Sequence, residues 1–235
     1  MANWQLENAA IGLEPWKASF LIRNPSNLLK FLTDWWQMSC KLSPLAPRLI
    51  LFAGHAGTGK STLAKKALPL IIEKTGEDFF FLDKDTAFGA YSAHVMELTT
   101  GNPNNRDSPY YLKNLRDWEY SGLIDVAREN LLLGVNIILV GPFSNEIQSG
   151  KMFSPELLGV PLQTIIRLAW IDLEGGEAKR RMEVRADPRD EWKLAHWDQY
   201  VTRRTEPPTN PSLFRFDNLN FDPAKFYQLI NNLTQ

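Results

Sequence analysis

Short apolar runs alternate with helical stripes along most of the chain. RLILFAG (48–54), DFFFLD (78–83), VNIILVG (135–141) and QTIIRLAWID (163–172) are runs of apolar residues bounded by turn formers. This is the pattern of strands buried on both faces of a parallel sheet. LFRF (213–216) predicts a fifth strand. STLAKKALPLIIEKTG (61–76) predicts a helix stopped by Gly76, with Pro69 expected to kink or split it. Residues 88–98 predict a helix, and TTGNPNNRDSPYY (99–111), rich in Gly, Pro and Asn, a loop. Residues 112–134 predict one long helix with Leu112, Leu115, Glu119, Leu123 and Val126 along one side and Gly134 as its stop. Residues 175–205 predict charged helix, and 222–234 a closing helix with Pro223 in its first turn.

Strand and helix alternate without a visible repeat, which predicts an α/β domain with a mainly parallel sheet and helices on both faces. Ligands of such sheets bind beyond the carboxyl ends of the strands. The 235 residues are enough for one domain and an appendage. The boundary is placed at 47/48. Four of the eight tryptophans (Trp4, Trp16, Trp35, Trp36) lie in 1–47, where Asn24-Pro25-Ser26 opens a helix that Pro44 and Pro47 end. A helical appendage packed by aromatics is expected there.

The chain is 44% hydrophobic and 23% charged, with a net charge of −1. That excludes a disordered or collagen-like chain, and it speaks against nucleic-acid or membrane partners recruited by overall charge. Cys40 is the only cysteine, so no internal disulfide forms. The first residues lack a basic segment followed by an apolar core, and no stretch has the length of a membrane span. A cytoplasmic protein is expected.

The chemistry gathers after the first strand. Gly54-His55-Ala56-Gly57-Thr58-Gly59-Lys60-Ser61 fits G-x-x-x-x-G-K-[ST] between an apolar strand and a helix. Glycines let the backbone curl so that successive N–H groups face phosphate oxygens, and the following helix points its positive end at them. Gly54 through Thr62, including Ala56, Thr58 and Thr62, are thus expected to cradle the phosphates of a nucleotide. Lys60 would reach the β- and γ-phosphates and Ser61 would bind Mg²⁺. His55 is expected to contribute its backbone N–H, not its imidazole. After the second strand, Asp83-Lys84-Asp85 places two acids at the same sheet edge. If the chain stays extended they share one side, one to hold Mg²⁺ or its water and one to accept a proton. The alternative is an Asp that caps the next helix.

GHAGTGKST, FLDKDT and the arginine-rich stretch RRMEVRADPRDEWKL resemble P-loop kinases of the zeta-toxin, chloramphenicol-phosphotransferase and polynucleotide-kinase type, many of which are called AAA-type ATP-binding proteins. FLDKD is also similar to the F-x-D-x-D of shikimate kinase. The resemblance covers roughly residues 48–235. It implies a P-loop NTPase three-layer α/β/α sandwich with a helical lid over about 175–206, ATP and Mg²⁺ as cofactors, and transfer of phosphate to a hydroxyl of a small molecule. Asp83 would then lie near Mg²⁺ and Asp85 would be the substrate base. The third strand departs from the commonest pattern: Gly141-Pro142-Phe143 follows it where an Asp often completes the Mg²⁺ shell.

The lid of such kinases carries arginines that stabilise charge on the transferring phosphoryl group. Arg181 and Arg185, four apart on one helix face, are the expected catalytic pair. Residues 175–206 hold eight Lys/Arg and seven Asp/Glu, so a solvated helix laced with ion pairs remains the alternative. Arg106, Asp107 and Tyr120 are candidates for acceptor binding, against a plain surface loop with core tyrosines. A regulatory ATPase that transfers phosphate only to water, and a polynucleotide 5′-hydroxyl kinase, are the competing functions. Sugar, nucleoside, antibiotic and peptidoglycan precursor all stay open as acceptor.

Overall fold

All five apolar runs form strands in the computed structural model, which describes residues 46–235. They are β1 (Arg48–Ala53), β2 (Phe79–Asp83), β3 (Asn136–Val140), β4 (Ile165–Asp172) and β5 (Leu213–Asp217). Every pairing is parallel, in the order β2-β3-β1-β4-β5. The described residues form one unit, Ala46–Gln235. The expected appendage over 1–47 lies outside them except for Ala46 and Pro47. Among the described residues no helix is long and apolar enough to cross a membrane.

Helices connect the strands as α1 (Lys60–Thr75), α2 (Lys84–Thr100), α3 (Pro109–Asn114), α4 (Arg116–Leu132), α5 (Ser144–Gln148), α6 (Pro155–Leu158), α7 (Gly175–Arg185), α8 (Glu191–Ala195), α9 (Trp197–Val201) and α10 (Pro223–Thr234). The period-two alternation of central β1 builds both outer layers. Leu49, Leu51 and Ala53 face a core shared with Leu123, Ala127 and Leu131 of α4. Ile50 and Phe52 face the opposite core, shared with Leu63, Ala67 and Ile71 of α1 and Leu229 and Leu233 of α10. Each of the Leu, Ile and Phe side chains among them, fully buried, contributes roughly 1.5–3 kcal/mol. The result is the three-layer α/β sandwich that the alternation predicts.

Several local expectations change. β2 is an edge strand, not one buried on both faces, and Phe80 is 46% exposed. α1 runs through Pro69 unbroken. The chain turns helical directly at Lys84, because the Asp83 carboxylate accepts from the N–H groups of Asp85 and Thr86 and caps α2. Asp83 and Asp85 therefore do not stand side by side on extended chain. The long helix expected over 112–134 starts earlier, at Pro109 behind the capping Ser108, and breaks at Leu115. Ala127 and Leu131, not the exposed Val126, continue its buried side. The segment 175–205 is also broken, into α7, a 3₁₀ turn at Pro188–Asp190, α8 and α9.

Candidate active site

The carboxyl ends of β1, β2 and β3 open into one cleft of about 630 Å³. Its floor is the loop between β1 and α1. Gly57 has φ 79°, and a Cβ there would stand 2.6 Å from the Ala178 carbonyl oxygen, so both backbone conformation and space demand glycine. His55, Ala56, Gly57, Gly59, Lys60, Ser61 and Thr62 line the cleft. Gly54 and Thr58 do not. Gly54 lies against the Ile171 carbonyl, and the Thr58 hydroxyl donates to His55 O at 2.9 Å, so both shape the loop from behind.

The Lys60 ammonium donates to His55 O at 2.7 Å. Desolvation in the cleft pulls its pKa down to about 8, and Asp85 and Asp83 oppose that fall only in part. The His55 imidazole does more than expected. Its Nε2 lies 2.9 Å from Thr205 O and 3.2 Å from Thr205 N, and its ring packs edge-on against Trp170.

Across the cleft, Asp85 projects from the first turn of α2. Its Oδ2 accepts from Arg189 at 2.9 Å, and its Oδ1 lies 3.5 Å from Arg106 Nη2 and 3.6 Å from Lys84 Nζ. Desolvation pushes its carboxyl up, but Lys84, Arg189 and Arg106 outweigh that and hold it below the usual carboxylate range. Asp83 also lines the cleft; one of its oxygens is committed to capping α2, and the other accepts nothing from the described residues. Behind Asp85 lies a group that sequence reasoning missed. Buried Lys84 donates to Glu119 Oε2 at 2.9 Å and to the Tyr111 hydroxyl at 3.1 Å, Tyr111 donates to Glu119 Oε2 at 2.6 Å, and Ser92 donates to Glu119 Oε1. The signal was present: Glu119 is a lone charge on the apolar side of its helix.

The arginines of 175–206 divide differently from the expected pair. Arg185 lines the cleft and pairs with buried Asp190. Arg181 does not line it. Its guanidinium donates to Glu177 and to the carbonyls of Asn218 and Leu219, so it fastens α7 to the loop after β5. Arg189, in the same basic cluster but outside the expected pair, reaches Asp85 instead.

Arg106, Asp107 and Tyr120 all line the cleft. Asp107 pairs with Lys193 at 2.7 Å, which outweighs desolvation and lowers its pKa. Tyr120 packs against Phe143 and under the Arg116 guanidinium, and burial pushes its phenol well above the usual value. The Gly141-Pro142-Phe143 turn supplies no carboxylate. Phe143 is fully buried with φ 49°, and its ring takes the space that a side chain on Gly141 would need.

A family model described as an AAA domain matches residues 49–207, about two thirds of the chain. The chain belongs to this AAA domain family. Its fold recurs in P-loop proteins of known structure. A candidate kinase from Chloroflexus aurantiacus aligns over 81% of this chain and 100% of its own, at 19% identity and a TM-score of 0.56. Chaetomium thermophilum Kti12, solved with ADP-AlF3, covers 80% and 97% at 17% identity and 0.56. The Mycobacterium tuberculosis APS kinase CysC, solved with AMPPNP and APS, covers 82% and 100% at 18% identity and 0.53. No curated protein matches the chain by sequence.

Proposed function

We propose that the chain is an ATP- and Mg²⁺-dependent phosphotransferase that moves the γ-phosphoryl group of ATP to a hydroxyl of a small molecule. The observation that carries this is the meeting of a phosphate cradle, a carboxylate and two lid guanidiniums in one cleft. The APS kinase and Kti12 neighbours, solved with AMPPNP and with ADP-AlF3, support the nucleotide side of the proposal.

The residues fit Mg²⁺. This ion keeps several waters and is bound by substrate phosphates plus one or two protein oxygens. Ser61 and Asp83 both line the cleft, Asp83 with one oxygen not used in capping, and among the described residues no three acidic or His/Cys side chains form a cage of their own. When bound, the ion would neutralise charge on the β- and γ-phosphate oxygens.

The protein's own groups then divide the work. The loop 54–62 and Lys60 bind and orient the triphosphate. Asp85 orients the acceptor hydroxyl, whose oxygen forms the new bond to the γ-phosphorus as the bond to the β-phosphate oxygen breaks and ADP leaves. The hydroxyl proton passes late to Asp85, because the transition state is loose. Arg185 and Arg189, in a lid formed by 175–206, stabilise charge on the equatorial oxygens. Arg106 and Tyr120 border the acceptor, while Asp107 holds Lys193 in place.

A second reading, a regulatory ATPase with water as acceptor, draws on the ion pairs that already occupy both oxygens of Asp85. Label transfer from γ-³²P-ATP to a metabolite pool separates the two. A labelled organic product made by the wild type and not by Asp85→Asn supports the kinase; inorganic phosphate alone from both supports the ATPase.

A further inference from the structure

One peptide of the phosphate loop is held from both sides. The carbonyl of the 55–56 peptide accepts from Lys60 Nζ at 2.7 Å and from the Thr58 hydroxyl at 2.9 Å. The N–H of the same peptide, on Ala56, donates to the Tyr200 hydroxyl at 2.9 Å. Tyr200 comes from α9, 144 residues away in sequence, and is 7% exposed. Its oxygen stands where a phosphate oxygen would accept from a loop N–H. Its own O–H proton has no acceptor among the described residues.

The neighbour of Tyr200 is also underused. The Arg203 guanidinium carbon lies 5.5 Å from the centre of the Tyr200 ring and 5.2 Å from that of Trp192. Its Nη1 donates to Asp107 O at 3.3 Å, and its Nη2 is buried without a partner. Lys84, Arg106, Arg116, Arg185, Arg189 and Lys193 each pair with a carboxylate. Among the described residues, Lys60 and Arg203 are the cleft cations without a carboxylate within 4.0 Å. Unspent donors in a shared, partly dry place fit an anion from outside the chain.

The place also indicates which part of the anion. N–H groups at the start of α1 serve the inner phosphates, and the loop lysine reaches the β- and γ-phosphates. Lys60 is anchored at the 55–56 peptide, so Tyr200 stands at the outer end of the cradle. Burial holds the Tyr200 phenol above its usual pKa, so it keeps the proton it would donate.

Resting on the nucleotide reading above, we infer that Tyr200, assisted by Arg203, grips the terminal phosphate and makes the site favour a nucleoside triphosphate over the diphosphate. The phenol keeps accepting from Ala56 N–H and donates its proton, as a hydrogen bond, to a γ-phosphate oxygen. No proton is transferred. The contact disappears with the γ-phosphoryl group, which loosens the hold on the diphosphate product.

The test is calorimetric titration of the full chain with AMPPNP and, separately, with ADP, both with Mg²⁺. Tyr200→Phe keeps the ring against Trp197 and Arg203 and removes only the hydroxyl. The expected result is a loss of about tenfold in AMPPNP affinity with ADP affinity within about twofold of wild type, as for one hydrogen bond to a charged group. Arg203→Gln is expected to show the same selectivity, and Arg203→Lys to recover part of it. Equal losses for both nucleotides would make Tyr200 a loop support, and no loss for either would make it a bystander; each overturns the inference while leaving the nucleotide site standing. A wild-type chain that binds neither nucleotide would instead remove the nucleotide reading, and this inference with it.

Discussion

The two walls of the cleft handle charge in opposite ways. The phosphate loop is eight contiguous residues whose one cation, Lys60, has only a backbone carbonyl for partner. The facing wall is gathered from distant segments, and apart from Arg203 its charges are already spent on one another: Asp85 on Arg106 and Arg189, Lys84 on Glu119, Asp107 on Lys193. Buried ion pairs gain little net stability but are costly to break singly. The loop therefore holds charge in reserve for a ligand, while the facing wall holds a fixed shape.

Changes on the loop should accordingly strike binding and spare the fold. Lys60→Ala is expected to lower nucleotide affinity or turnover by about 10²–10³-fold, as for loss of a phosphate-directed donor. Its melting temperature should not fall, because the desolvated ammonium is a cost to folding. A large drop in melting temperature with normal ATP binding would reverse the contrast between the walls.

On the facing wall the order should invert. Glu119→Gln leaves Lys84 buried without its counter-charge and is expected to cost about 3 kcal/mol in denaturant unfolding. Adding Lys84→Met should restore much of that. A single variant as stable as wild type would show that the network carries no strain on removal.

The lid sharpens the comparison further. Arg185→Ala and Arg189→Ala are expected to lower kcat by about tenfold or more with smaller effects on ATP affinity, since in the proposed function they act on transferring charge. Arg181→Ala, which loosens only contacts to Glu177, Asn218 and Leu219, should leave kcat within a few-fold. Equal losses in all three would point to lid folding as their common role.

The smallest effect is in pH. The pKa of Lys60 is pulled to about 8 in the free protein, and an adjacent polyphosphate would raise it, so binding takes up a proton above that pH. Nucleotide affinity should be flat below about pH 8 and fall by up to about tenfold per unit above it. An affinity that rises with pH in that window would contradict the assignment of Lys60.

Legibility in the sequence follows the same division. The strands and the phosphate loop are local: apolar runs, glycines and one lysine within a few residues, so pattern alone finds them. Asp83 was ambiguous between capping and metal binding, and it does cap, because a capping oxygen costs the carboxylate only one of its two. Arg181 was misplaced because i, i+4 spacing gives a shared helix face but not which carbonyls that face meets. Arg189, Tyr200 and the Lys84–Glu119 pair escaped because their partners lie 104, 144 and 35 residues away, set by how the lid and α4 fold over the sheet. Glu119 alone left a trace, as a charge among leucines.

The central claim is that Asp85 serves the acceptor and the loop serves ATP, and Asp85→Asn tests it with two readouts on one sample. The substitution keeps the side chain's size and removes the negative acceptor, weakening its pairs with Arg106 and Arg189, so a melting curve on the same sample must show the fold intact. Phosphoryl transfer to the organic acceptor should fall by about 10²–10⁴-fold, the usual worth of a general base, while ATP affinity stays within a few-fold because Lys60 and Ser61 are untouched. Transfer that continues near the wild-type rate, or ATP binding that collapses along with it, would contradict the account.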